Sequence, residues 1–208
     1  MSTWTVTKWN ALLAWSATAV AFVMSGGDPS SRFRRVYENV RKNTHYLSAA
    51  PSAMVFGWVW SLVVVLLVAG GVLYAIHYQT CDQGYYIAAT ATSLAHFASL
   101  GMWGRVFYKY GSPWGGFITL WVAFATAAAT VVVFGLTAGS SCVQEKTEAW
   151  IAMGLWIVPC IWYVWALVIN YQYMQIPSKV LRYYAGIESR ISSKLKNRPD
   201  PRARRARR

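Results

Sequence analysis

Residues 51 to 78 read PSAMVFGWVWSLVVVLLVAGGVLYAIHY, a run of 28 residues without Asp, Glu, Lys or Arg. An α-helix needs roughly 20 apolar residues to cross a hydrocarbon core of about 30 Å, so this run is long enough to span a bilayer. Lipid offers no partners to backbone N–H and C=O groups, which leaves helices and closed barrels as the spanning structures. The run lacks period-2 alternation, and that excludes a barrel strand. Within it Trp58 and Trp60 stand two residues apart. On a helix such residues point about 200° from one another, so the two indoles serve different surfaces.

Four further segments behave alike, at about 9–25, 86–104, 114–137 and 149–172. The first follows Lys8 and can also be read as a cleavable leader ending near Ser25. Trp4, Trp9 and Trp15 suit an interfacial anchor better. The expected fold is therefore an all-α integral membrane protein: a five-transmembrane-helix bundle over residues 1–175, then a basic cytosolic tail over 176–208, partly disordered.

The formal net charge of +13 at pH 7 would suggest nucleic acid on a soluble chain. Its placement argues for a membrane instead. Eighteen of the 20 Lys and Arg fall in the segment 26–50, in the turn holding Arg105 and Lys109, and beyond residue 173, all on one side of a five-span bundle. The other side keeps Lys8 and Lys146 beside Asp82, Glu145 and Glu148. The positive-inside tendency then puts the N-terminus outside the cytosol and the C-terminus inside it, and leaves open which membrane is meant. Cys81 and Cys142 fall in the two short outer loops, where an oxidising compartment would sustain a disulfide. Two unrelated thiols are the other reading, since sequence carries no Cα distance.

The tail starts with Val180, Leu181, Tyr184, Ile187 and Ile191 near helical spacing and ends in a basic run. Beside a membrane such a cluster contacts anionic lipid headgroups, each cation contributing about 1 kcal/mol. Nucleic-acid binding and an arginine-based retention signal in RARR are the competing readings. The polar segment 26–50 is long enough to fold over the cytosolic face as a lid.

Reaction chemistry is sparse. The chain has no glycine-rich phosphate loop, no paired-Cys motif and no Asp, Glu, Lys or Arg inside a span, which disfavours a small ion-coupled transporter. His45, His77 and His96 do not make a pair at matching depth that could clamp a haem iron, and no metal site is expected. His96, in mid-membrane, is expected to bond a neighbouring helix or to touch a ligand.

Indole is abundant instead, with 12 Trp in 208 residues. Interfacial belts account for those near span ends, such as Trp114 and Trp150. The rest form stripes: Phe56, Trp60, Val63, Val64 and Leu67 in the second span, His96, Ser99 and Trp103 in the third, and Trp162, Ala166 and Asn170 in the fifth. Three helices each offering one indole could enclose a large flat aromatic ligand, or the rings could simply fill helix contacts.

The run PSAMVFGWVWSL, through Pro51, Phe56, Gly57, Val59 and Trp60, resembles the P-x-W-V-F-G-P-V-W-T-L signature of the tryptophan-rich sensory protein and translocator protein (TspO/MBR) family. WYVWALVINYQY resembles that family's fifth-helix W-x-x-x-A-x-x-L-N-Y through Trp162, Ala166, Ile169, Asn170 and Tyr171, and LGMWGRVFYKYG its third-helix motif through Trp103 and Phe107. The resemblance covers about residues 9–175. The sequence departs from the family in its first loop, which has one proline and no tryptophan, in Leu100 for a third-helix Asn, and in Val158–Pro159 for a P-Y pair.

The resemblance implies a receptor-like binding or sensor protein for porphyrin, haem-like tetrapyrrole or sterol ligands. It carries the family's ligand-lining residues over onto Trp60, Trp103, Trp162 and Ala166, and the stripes read above add Phe56, His96 and Asn170 to the same pocket, with no cofactor required. It also implies a possible light-dependent breakdown of porphyrin at the indoles, although no general acid or base supports dedicated catalysis. A sterol-type pattern through Val168, Tyr173 and Lys179 is of a kind that arises by chance. Gly and Ala on the third and fourth spans permit close pairing and hence a homodimer. The opposing class is a membrane scaffold, stapled by the outer-loop disulfide, whose basic tail recruits partners.

Overall fold

The computed structural model describes residues 31–78, 83–140 and 146–196. The segment 9–25, Cys81, Cys142 and the basic run from 197 onward lie outside the described residues. What is described is helical, without a strand: α1 (Ser31–Asn43), α2 (Ala53–Tyr78), α3 (Gln83–Gly104), α4 (Pro113–Gly139), α5 (Thr147–Met174) and α6 (Ser178–Lys196).

Three of these, over Ala53–His77, Pro113–Gly139 and Thr147–Met174, are long and apolar enough to cross a membrane. Helix α3 has a spanning length of 22 residues but carries Gln83, Thr90, Thr92, Ser93, His96 and Ser99, and so falls outside that group. The five-span expectation is thus met in its coarser part: an all-helical chain with three spanning-type helices among the described residues. Their outward faces are apolar, with Met54, Trp58, Leu62 and Val65 on α2 and Ile157, Ile161, Val164 and Val168 on α5 exposed. A chain that leaves so much contiguous apolar surface uncovered is suited to a lipid bilayer.

Helix boundaries follow local chemistry. Ser52 starts α2, its hydroxyl accepting the Val55 N–H at 3.3 Å directly after Pro51. Ser112 caps α4 by accepting from Gly115 N–H at 3.2 Å, and Pro113 occupies the first turn, where its missing N–H is not needed. Between α3 and α4 the chain widens into a π-helical turn over Arg105–Lys109, closed by Tyr110 N–H donating to the Arg105 carbonyl at 3.0 Å.

In the bundle α3 packs on α4, α4 on α5 and α5 on α2, whereas α2 and α3 meet only slightly. Layers of aromatic side chains run through it. At one end Tyr74 stacks on Phe134 with centroids 4.2 Å apart and donates to the Thr137 hydroxyl at 2.8 Å, while Thr137 donates to Val133 C=O. The middle holds Trp156, Phe97, His96 and Tyr163.

The other end is roofed by α1 and α6, which pack on one another. Val36, Tyr37 and Val40 of α1 are buried, and Val180, Leu181 and Tyr184 of α6 pack against the core. Tyr37 donates to the Pro51 carbonyl at 3.0 Å. Glu38 accepts the Ala53 N–H at 2.5 Å and the Arg41 guanidinium at 2.9 Å. The described part of the polar segment expected to fold over the bundle, residues 31–50, packs at this end and contains a 13-residue helix. The tail begins as the expected amphipathic helix.

Candidate functional site

Beneath that roof, Phe56 and Trp60 of α2, Trp103 of α3 and Trp162 of α5 converge. Trp60 stacks on Trp103 with centroids 5.0 Å apart and planes inclined by 29°. It meets Trp162 edge-on at 6.3 Å, and Phe56 touches Trp60, Trp103 and Trp162 at 6.0, 6.4 and 5.8 Å. The stripe spacing explains the convergence: Phe56 and Trp60 are one turn apart on α2 and share their face with buried Val63 and Leu67. Trp58 points elsewhere and is 72% exposed, which answers what the two neighbouring indoles face.

The polar part of the cluster is small. Asn170 donates to the Ala166 carbonyl at 2.8 Å, and its Oδ1 accepts the Trp103 indole N–H at 3.4 Å. Ala166 and Asn170 are buried at the α5 interface, holding Trp103 in place. The π-helical turn sets Phe107 parallel to Trp103 at 5.7 Å, and Tyr173 meets Phe107 edge-on at 5.2 Å. Two donors stand out. Trp60 Nε1 and Trp162 Nε1 are buried and have no hydrogen-bond partner among the described residues. Leaving a buried donor unmatched costs about 1–3 kcal/mol.

His96 lies deeper and is fully buried. Its Nδ1 is 2.8 Å from the Ala123 carbonyl and its Nε2 is 3.0 Å from the Tyr163 hydroxyl. Both ring nitrogens are therefore engaged by neighbouring helices, which matches the first of the two roles expected for it. Ser99, in the same sequence stripe, returns its hydroxyl to the Ala95 carbonyl at 2.7 Å and stays out of the aromatic cluster. Sequence reasoning missed Tyr163, which adds its ring to Trp60 at 5.7 Å. Its position seven residues after Trp156 was the available signal, and a buried histidine on α3 called for such a partner.

No group of three His, Cys, Asp or Glu that could hold a metal occurs among the described residues. A groove of about 360 Å³ lies apart from the cluster, between the end of α1 and α6, lined by Thr44, Lys179, Val180, Tyr183 and Tyr184. No family model matches the chain, and neither a curated protein nor a solved structure is detectably similar to it.

Proposed function

We propose that this chain is a multi-pass membrane protein that binds a flat aromatic ligand of the tetrapyrrole class in the cage of Phe56, Trp60, Trp103 and Trp162. The observation that carries the reading is the pair of unmatched indole donors, Trp60 Nε1 and Trp162 Nε1, in one aromatic cluster. A ligand with an acceptor atom would satisfy donors that have no partner among the described residues, and its ring would gain aromatic contacts of roughly 0.5–1.5 kcal/mol each. The motif resemblance to the TspO/MBR family supports the same class of ligand. Because α2 and α3 meet only slightly, the Trp60–Trp103 stack can part to admit a ring without separating tightly packed backbones.

The finer architecture belongs to this reading. Helix α3 is also a span, the third of the five in chain order: its hydroxyls are turned inward on its own backbone, Thr90 to Tyr86, Thr92 to Ala88 and Ser93 to Ala89 at 2.8, 2.9 and 2.6 Å, which hides their polarity from lipid. The segment 9–25, outside the described residues, completes the five as the first in chain order. The charge pattern orients the α1–α6 roof to the cytosol, where α6 and the basic run meet anionic headgroups.

Titration of protoporphyrin IX into the protein in lipid nanodiscs, against empty nanodiscs, tests the reading. Saturable quenching of tryptophan fluorescence at micromolar porphyrin is expected, and its absence overturns the proposal. A second reading, a scaffold whose indoles only fill helix contacts, is favoured by the stacking of Trp60 on Trp103, which leaves the rings packed on each other.

A further inference from the structure

Tyr163 and His96 are both fully buried and join α5 to α3 in the middle of the bundle. The roles in their hydrogen bond follow from the neighbour of His96. A carbonyl oxygen accepts only, so the Ala123 carbonyl, 2.8 Å away, requires the imidazole proton on Nδ1. Nε2 then carries a lone pair, and the Tyr163 hydroxyl donates to it at 3.0 Å. The phenol proton is aimed at a base whose orientation is locked from behind. Trp156 and Phe97 box the imidazole edge-on at 5.4 and 5.5 Å. On its other side the Tyr163 ring lies 5.7 Å from Trp60, which is stacked on Trp103 at 5.0 Å. A proton acceptor and a row of oxidisable rings thus meet at one phenol.

We propose that Tyr163 and His96 form a proton-coupled electron-transfer pair that draws oxidising equivalents out of the indole cage. Trp60 gives one electron to a one-electron oxidant at the cage, by chemical class a photoexcited tetrapyrrole, and becomes an indole radical cation. Tyr163 returns one electron to Trp60, its O–H bond breaks, and the proton crosses to Nε2 of His96. The products are a neutral indole, a neutral tyrosyl radical and an imidazolium that still donates through Nδ1 to Ala123. The positive charge that began on Trp60 now sits on His96, so charge is conserved. The pair resets when the electron comes back from the reduced oxidant and Nε2 returns the proton. The cage indoles are thereby spared irreversible oxidation. The inference rests on the tetrapyrrole reading only for the natural oxidant.

The test separates the two. A ruthenium–polypyridyl dye is attached to the full chain at Trp58→Cys, outside the cage, and flashed with a sacrificial electron acceptor in nanodiscs, so that no bound ligand is needed. A tyrosyl radical, identified in the electron paramagnetic resonance spectrum by ring-deuterated tyrosine, is expected, and Tyr163→Phe should replace it with a tryptophanyl radical. Its formation should slow in heavy water, and His96→Gln should slow it about a hundredfold, the scale of a lost general base. An unchanged tyrosyl signal in Tyr163→Phe, or no solvent isotope effect in the parent, overturns the pair, and the second readout needs no variant to fold. Illumination of the unlabelled chain with protoporphyrin IX should give the same radical. Success with the dye and failure with porphyrin would sink the tetrapyrrole reading and leave the pair supported.

Discussion

Trp156 donates its indole N–H to the Leu67 carbonyl at 3.0 Å, across the seam where Gly70 lets α2 and α5 close on one another. A Cβ at Gly70 would stand 2.6 Å from Trp156 Cδ1 and 3.0 Å from the Ala152 carbonyl oxygen. Neither can retreat easily, because the indole is held by its own hydrogen bond and the carbonyl belongs to a helix. Gly70→Ala should therefore lower stability by about 1–3 kcal/mol. Gly57→Ala, on the same helix with nothing within 4 Å, should be neutral or stabilising. Thermal melts in one detergent compare them, and equal melting temperatures would refute the close approach.

Replacing Trp60 or Trp162 by Phe removes an unmatched donor together with part of a ring. Protoporphyrin affinity should fall by about 1–2 kcal/mol, roughly five- to thirtyfold, in each variant. Trp58→Phe, at an exposed position, should leave affinity unchanged. Fluorescence titration reads this, with melts to confirm folding. Wild-type affinity in both cage variants would favour the scaffold. Ala166→Leu, at a fully buried position, should cost stability as well as binding.

The loop before α2 is stapled to α5. Ala49 N–H donates to Gln172 Oε1 at 3.2 Å, and the Trp165 indole donates to the Ala49 carbonyl at 3.0 Å. Gln172→Ala should speed hydrogen exchange at the Ala49 amide by about fivefold or more, the equivalent of about 1 kcal/mol for one hydrogen bond. Exchange at parental rate would show that the Trp165 bond alone holds the loop.

Burial pushes the Glu38 carboxyl up, but the Ala53 N–H and the Arg41 guanidinium outweigh it and hold the group below the usual carboxylate range. A depressed value in the folded state means that the stabilisation is present above the ordinary range, about pH 4.3, and fades as pH falls through the folded value. Limited proteolysis at the α1–α2 junction should accelerate below that range in the parent. Glu38→Gln, which cannot titrate, should abolish the pH dependence; an identical pH profile in the variant would remove Glu38 as its source.

Orientation is open to direct labelling. A tag after Arg208 should stay shielded in intact cells, and an impermeant thiol reagent should reach Cys81 and Cys142 after reduction. A tag accessible from outside would reverse the assignment.

Helices α2, α4 and α5 were legible because an uncharged run beyond 20 residues admits few solutions in any solvent. Helix α3 reads as a span like the others from its uncharged run at 86–104, yet it falls outside the three spanning-type helices because composition counts Thr90, Thr92 and Ser93 as polar although each hydroxyl is spent on its own helix. The helix in the roof escaped because Arg and Asn dominate Ser31–Asn43; its signal was Val36, Tyr37 and Val40 on one face. At the site, spacing grouped Phe56 with Trp60 and set Trp58 apart. It could not assign Tyr163, whose neighbour Trp162 had the stronger claim to the interior. Helix packing brings both rings against Trp60, at 6.3 and 5.7 Å.

The widened turn at Arg105–Lys109 amounts to one extra residue wound into the end of α3. The winding there works as a phase correction. Winding the same residues as ordinary α-helix, with the extra residue kept, would turn everything upstream by about 100° relative to α4. Trp103 would leave Trp60 and Asn170 although its own codon, and every codon of the cage, stayed the same. The widened turn therefore lets the chain carry an extra residue here without moving Trp103 off its partners.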